Sequence, residues 1–124
     1  MHMTRLVLVF FLVGAFSGCR VARLESVPDE LVGVWKTTSP RYEDRFFEIS
    51  EDLVVFGTGG HTTEAHPIVS MSGTREDERP LYAISYEIAE GEEYEFFFYY
   101  DPAGSGVIRF KNQLDMAWTA VDDR

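Results

Sequence analysis

The sequence predicts an all-β domain, a small antiparallel up-and-down meander of about eight strands, preceded by a signal peptide. Three observations carry that expectation. Short apolar segments alternate with turn signals from Leu31 onward, which is the spacing of a sandwich or a barrel. Residues 82–88 place large apolar side chains at even positions and small or polar ones at odd positions, the mark of a half-buried strand. No segment after Cys19 carries the apolar period of an amphipathic helix. Short connections favour antiparallel neighbours, and closing the sheet removes its open edges. A closed or partly closed barrel is therefore preferred, with a two-sheet sandwich second.

The N-terminus is read first. Arg5 gives a short positive start, and residues 6–16 follow without a charge. As a helix this run spans about 16 Å, roughly half the hydrocarbon core. That is too short to cross a bilayer and suits the core of a signal peptide. Ser17 and Gly18 then stand directly before Cys19, the single cysteine of the chain, so no disulfide within the chain is available. Phe16-Ser17-Gly18-Cys19 resembles the lipobox of bacterial lipoproteins, with phenylalanine where leucine is usual. The resemblance implies cleavage between Gly18 and Cys19, a diacylglycerol on the sulfur and a further acyl chain on the freed amine. Stable anchoring takes two or more such chains. In the enterobacterial sorting scheme an aspartate after the cysteine retains a lipoprotein at the inner membrane. Arg20 thus implies the cell envelope, at the periplasmic face of the outer membrane where the organism has one. The expected organisation is a leader over residues 1–18, an acylated cysteine and tether over 19–30, and a β domain over 31–124. Residues 20–28 show no strong period and end at Pro28-Asp29, as a tether would.

The strands follow in order. The first expected strand covers residues 31–37 and the second 45–49, with Ser50-Glu51-Asp52 as the turn after it. The third covers 53–56 and stops at Gly57-Thr58-Gly59-Gly60. A weaker segment runs over 62–71, with Pro67 marking an edge or a bulge. Residues 82–88 and 93–100 form the clearest pair, joined through Gly91. In the second of these, Tyr94, Phe96, Phe98 and Tyr100 share one face, and Glu93, Glu95, Phe97 and Tyr99 share the other. Asp101-Pro102-Ala103-Gly104-Ser105-Gly106 is a turn, 107–110 a short strand, and 116–121 the last.

Gly33-Val34-Trp35 resembles the opening strand of lipocalin-like barrels, where a Gly-x-Trp signature lays tryptophan across the barrel floor. The resemblance implies a compact lipocalin-like barrel in which a late basic residue, Arg109 or Lys111, packs on the tryptophan. It also implies a mouth that takes a small apolar ligand, with Trp35, Tyr82, Tyr86, Phe96 and Phe98 as its contacts. The same bulky side chains are large enough to fill a barrel this short.

Other candidates come from the residues alone. Phe97 and Tyr99 lie opposite the expected core face, and an exposed aromatic pair marks a partner surface. His61, Glu64 and His66 offer imidazole and carboxylate ligands for zinc or copper. In an extended strand Glu64 and His66 project to one side and His61 to the other. The acidic runs 76–78 and 90–93 lack EF-hand spacing and read as solvated loops. No nucleophile elbow, zinc-protease motif or phosphate loop is present, so no catalytic residue and no cofactor are expected.

The formal net charge of −10 argues against nucleic-acid binding and against adsorption to anionic lipid through the protein surface. The functional expectation is a non-enzymatic, membrane-tethered domain that binds a small apolar ligand or an envelope protein. The alternative is a scaffold lipoprotein with a filled barrel and no pocket. A metal-handling role rests on His61, Glu64 and His66 alone.

Overall fold

The computed structural model describes residues 21–121. The expected signal peptide, its cleavage site at Gly18 and the acylated Cys19 lie outside the described residues. Nine strands are present among them: β1 (Ala22–Leu24), β2 (Gly33–Thr37), β3 (Phe46–Ile49), β4 (Leu53–Gly59), β5 (Thr62–Glu76), β6 (Arg79–Glu87), β7 (Glu93–Asp101), β8 (Val107–Phe110) and β9 (Trp118–Ala120). From β2 to β9 each strand pairs antiparallel with its successor. β9 returns to β2 through Trp35–Ala120 and Thr37–Trp118, which closes an eight-stranded up-and-down barrel. The closed form of the meander is thus the one the chain adopts, and the sandwich is not.

Several boundaries differ from the sequence reading, each for a local reason. The segment expected to be a tether is part of the fold. β1 pairs with β5, Ala22 opposite Gly73 and Leu24 opposite Met71, and Val27 is buried. Residues 31–32 were expected to open the first strand. Instead Asp29–Leu31 forms one 3-10 turn that buries Leu31 in the barrel floor. The strand begins at Gly33, whose φ of +145° is a backbone state that side chains rarely allow. β4 runs through Gly57 to Gly59 rather than stopping there. The bare Gly57 lets the Phe46 ring lie on the backbone, where a Cβ would sit 2.2 Å from a ring carbon. The segment expected to be weakest, β5, is the longest at 15 residues. Pro67 is tolerated because it falls at the limit of the β4 ladder, opposite Leu53, the first residue of β4. A bulge between Ile68 and Ser70 follows, and it changes which alternate residues face inward.

The lumen is filled with side chains. Ring contacts run across the barrel between strands that are not neighbours. Trp35 on β2 meets Tyr100 on β7 at 6.4 Å. Phe47 on β3 meets Phe110 on β8 at 5.3 Å. Phe56 on β4 meets Phe96 on β7 at 6.0 Å. Trp35 lies on the floor, and its Nε1–H donates to the Leu31 carbonyl at 3.1 Å. The basic residue expected on Trp35 is absent from it: Arg109 and Lys111 lie on the outer wall, and the rings beside Trp35 are Phe47 and Tyr100. The mouth, at the other end, carries the loops 38–45, 60–61, 88–92 and 111–117.

Candidate binding surfaces

The expected ligand contacts are core. Trp35 and Phe98 are fully buried, and Tyr82, Tyr86 and Phe96 are half-buried parts of the same aromatic cluster. Tyr82 packs on Phe98 at 5.7 Å, and Tyr86 on Phe96 at 5.9 Å. Burial is the largest cause that pushes the Tyr82, Tyr86 and Tyr100 hydroxyls above their ordinary pKa. The hollow that reaches the lumen aromatics measures about 200 Å³ and is lined by Tyr42, Arg45, Phe47, Phe56, Phe110 and Trp118, among others. Further hollows of about 300, 340 and 470 Å³ lie along the outer wall and the mouth loops. Ligand sites generally begin near ~300 Å³. The buried Trp118 Nε1–H has no acceptor among the described residues, and its indole packs against Phe47 and Phe110.

The three proposed metal ligands do not gather. His61 sits in the two-residue β4–β5 turn, where Gly60 and His61 both have positive φ, the signature of a type I′ hairpin. Glu64 and His66 face the mouth together, with Nε2 and Oε1 3.5 Å apart, and the His66 ring lies against Tyr86 at 5.2 Å. Among the described residues no three histidine, cysteine, aspartate or glutamate side chains are grouped to hold a metal.

The two aromatic residues expected on the outer face part company. Phe97 is 41% exposed, while Tyr99 is 6% exposed. The Arg79 guanidinium covers the Tyr99 ring, 4.0 Å from its centroid. The Tyr99 hydroxyl reaches past it to donate to the Glu76 carboxylate, which also pairs with Lys111 at 3.4 Å. The bond to Tyr99 is the largest cause that holds the Glu76 carboxyl below its usual pKa, and the same bond is the largest cause that raises Tyr99. Arg109, opposite Tyr99 on β8, donates to the Leu114 carbonyl at 2.9 Å. A groove of about 430 Å³ opens beside this cluster, with Arg79, Tyr99, Val107 and Arg109 among its walls and Glu78 and Asp101 the acids in it.

Sequence reasoning missed Arg79 and gave Glu76 and Lys111 other roles, a solvated loop and a contact to Trp35. Glu76-Asp77-Glu78 reads as a solvated acidic run, yet Asp77 and Glu78 both have positive φ and form a tight hairpin. That turn places Glu76 directly opposite Arg79. Recognising a two-residue turn there is the signal that finds the pair. No protein-family model, no curated protein and no solved structure matches this chain.

Proposed function

We propose that this chain is a lipid-anchored cell-envelope protein whose barrel is a non-enzymatic interaction module, recognising a protein partner through the outer wall of β6, β7 and β8. The observation that carries this reading is the contrast between inside and outside. The lumen is crossed by aromatic contacts, and the hollow that reaches them is about 200 Å³, whereas the outer wall presents an exposed Phe97 on the same wall as Arg79, Arg109 and Lys111. Interfaces concentrate their energy in aromatic and arginine side chains. Among the two expectations for a bound species, the filled lumen favours the partner over the small apolar ligand.

The anchor has its own support, the apolar run too short to cross a bilayer placed directly before the single cysteine. Metabolic labelling with a fatty acid tests it. The chain is expected to take up label, and Cys19→Ser is expected to lose both the label and the membrane fraction. Label-free protein that still sediments with membranes would contradict the anchor. For the wall, a photoreactive residue at position 97 is expected to crosslink a protein in intact envelopes, while one at the exposed Lys36 on β2 is not.

A further inference from the structure

One strand edge of the barrel is left open at the mouth. β4 pairs with residues 62–67 along one edge of β5, but β6 joins the other edge only at Ile68, opposite Tyr86. The Ile68 N–H donates to the Asp52 carbonyl at 2.9 Å, which fixes the alternation of the strand. Glu64, His66 and Ile68 turn their backbone groups toward β4, and Thr63 and Ala65 turn theirs away from it. Among the described residues no hydrogen bond takes up those two N–H groups and two carbonyls. Both residues are exposed.

We infer that this open edge takes an extended, lysine- or arginine-bearing segment of a partner protein as an added strand. It is a second contact surface, independent of the wall of β6, β7 and β8. Unpaired edge groups are a template for such pairing. Backbone hydrogen bonds then supply affinity, and alternate side chains supply the choice of sequence. The Gly60–His61 turn bounds the edge at one end, and Pro67, which has no N–H, bounds it at the other. That length suits one short segment rather than continued growth of a sheet.

Charge selects the occupant. The gap lies between the β4–β5 hairpin and the mouth end of the β6–β7 hairpin. No lysine or arginine occurs in residues 46–74 or 80–108, which hold the two sides of the gap. Glu64 lies on the edge strand itself, and Glu87, Glu90, Glu92 and Glu93 cluster at the end of the β6–β7 hairpin. Among the described residues the only ion-pair contact made by any of these five is Glu64 with His66 at 3.5 Å. Arg45 stands at the far, β4 edge of the hairpin, 3.7 Å from where a Gly59 Cβ would lie, with its guanidinium over the Tyr42 ring. Beside the open edge the rings of His66, Tyr86 and Tyr94 follow one another at 5.2 and 6.2 Å, and Tyr94 is 56% exposed. An ammonium or guanidinium laid on these rings gains a cation–π contact as well. A second copy of the chain fits poorly, because pairing this edge with itself sets Glu64 opposite Glu64.

The test uses the full chain in a neutral detergent and two heptapeptides, Thr-Lys-Val-Lys-Val-Lys-Thr and the same sequence with glutamate for lysine. At saturation the lysine peptide is expected to slow amide exchange at Thr63 and Ala65 about tenfold or more. The glutamate peptide is expected to bind at least about tenfold more weakly. Ala65→Pro removes one outward N–H without touching a hydrogen bond to β4, and is expected to weaken the lysine peptide about tenfold. Glu93→Lys is an exposed change that removes a like-charge pair with Glu87, and is expected to weaken the same peptide about threefold. If Ala65→Pro loses the fold, Glu93→Lys still decides. No binding of the lysine peptide, equal binding of both peptides, or an affinity indifferent to Glu93→Lys overturns the inference. So does a bound lysine peptide that leaves exchange at Thr63 and Ala65 unchanged. Protection of those two amides without peptide, rising with protein concentration, gives the edge to a second copy and overturns it too.

Discussion

Phe97 and Tyr99 occupy equivalent positions on one strand face, yet only Phe97 is open to solvent. The difference comes from Arg79 and Glu76, which cover the Tyr99 ring and hold its hydroxyl. The linkage has a definite sign at each end. Glu76 has a lowered pKa in the fold, so its contribution is present above its unfolded value of 4.5 and fades as pH falls through the folded value. Tyr99 has a raised pKa, so its contribution is present below 10.0 and fades as pH rises through the folded value. The stability gap between the native chain and Tyr99→Phe is therefore expected to be flat between those limits and to close outside them, read by urea unfolding across pH. A gap that persists in acid would break the Glu76 assignment. Gly33 makes a second case. Nothing lies within 4 Å of where its Cβ would stand, so crowding does not explain the glycine, but its φ of +145° does. Gly33→Ala is expected to cost about 1–3 kcal/mol through backbone strain alone. The Gly-x-Trp pair was legible in the sequence as a motif. The covering of Tyr99 was not, because it depends on a tight turn made by Asp77 and Glu78 without the glycine that usually marks such a turn.

β5 shows where strand patterns stop being readable. Its inward positions are even before the bulge, at His66 and Ile68, and odd after it, at Met71 and Gly73. A period-two scan across that break finds no alternation, so the strand looked weak although it is the longest. β6 and β7 keep one phase throughout, pairing Tyr82 with Phe98 and Ile84 with Phe96, and both were plain from sequence. β1 was invisible for a different reason: three residues carry too little pattern, and their role is to cover an edge. β4 begins only at Leu53, opposite Pro67, which leaves the β5 edge beyond Pro67 to be covered by Ala22–Leu24. Gly73 matches this close approach, with the Tyr82 ring 3.3 Å and Leu24 3.9 Å from where a Cβ would lie. Replacing Ala22-Arg23-Leu24 with Gly-Ser-Gly is expected to speed amide exchange at residues 71–73. It is also expected to lower Tm by about 4–8 °C for each kcal/mol of pairing and packing lost. Unchanged exchange there would show that β1 is not what protects the edge.

Closure of the meander makes the molecule an eight-stranded barrel whose lumen is crossed by aromatic side chains. Phe98 illustrates this: it is fully buried, and it packs on Tyr82 and Phe96. Phe98→Ala is expected to cost about 3–5 kcal/mol, far more than a residue lining a ligand pocket would, as chemical denaturation would show. The outer wall of β6, β7 and β8 is the face where aromatic and cationic groups meet. The most direct measurement is native mass spectrometry of the protein extracted from its membrane. The account expects a polypeptide mass that begins at Cys19, increased by fatty acyl groups, with no small molecule retained in the barrel. A mass without acyl chains, or a bound compound that survives gentle desolvation, would contradict it.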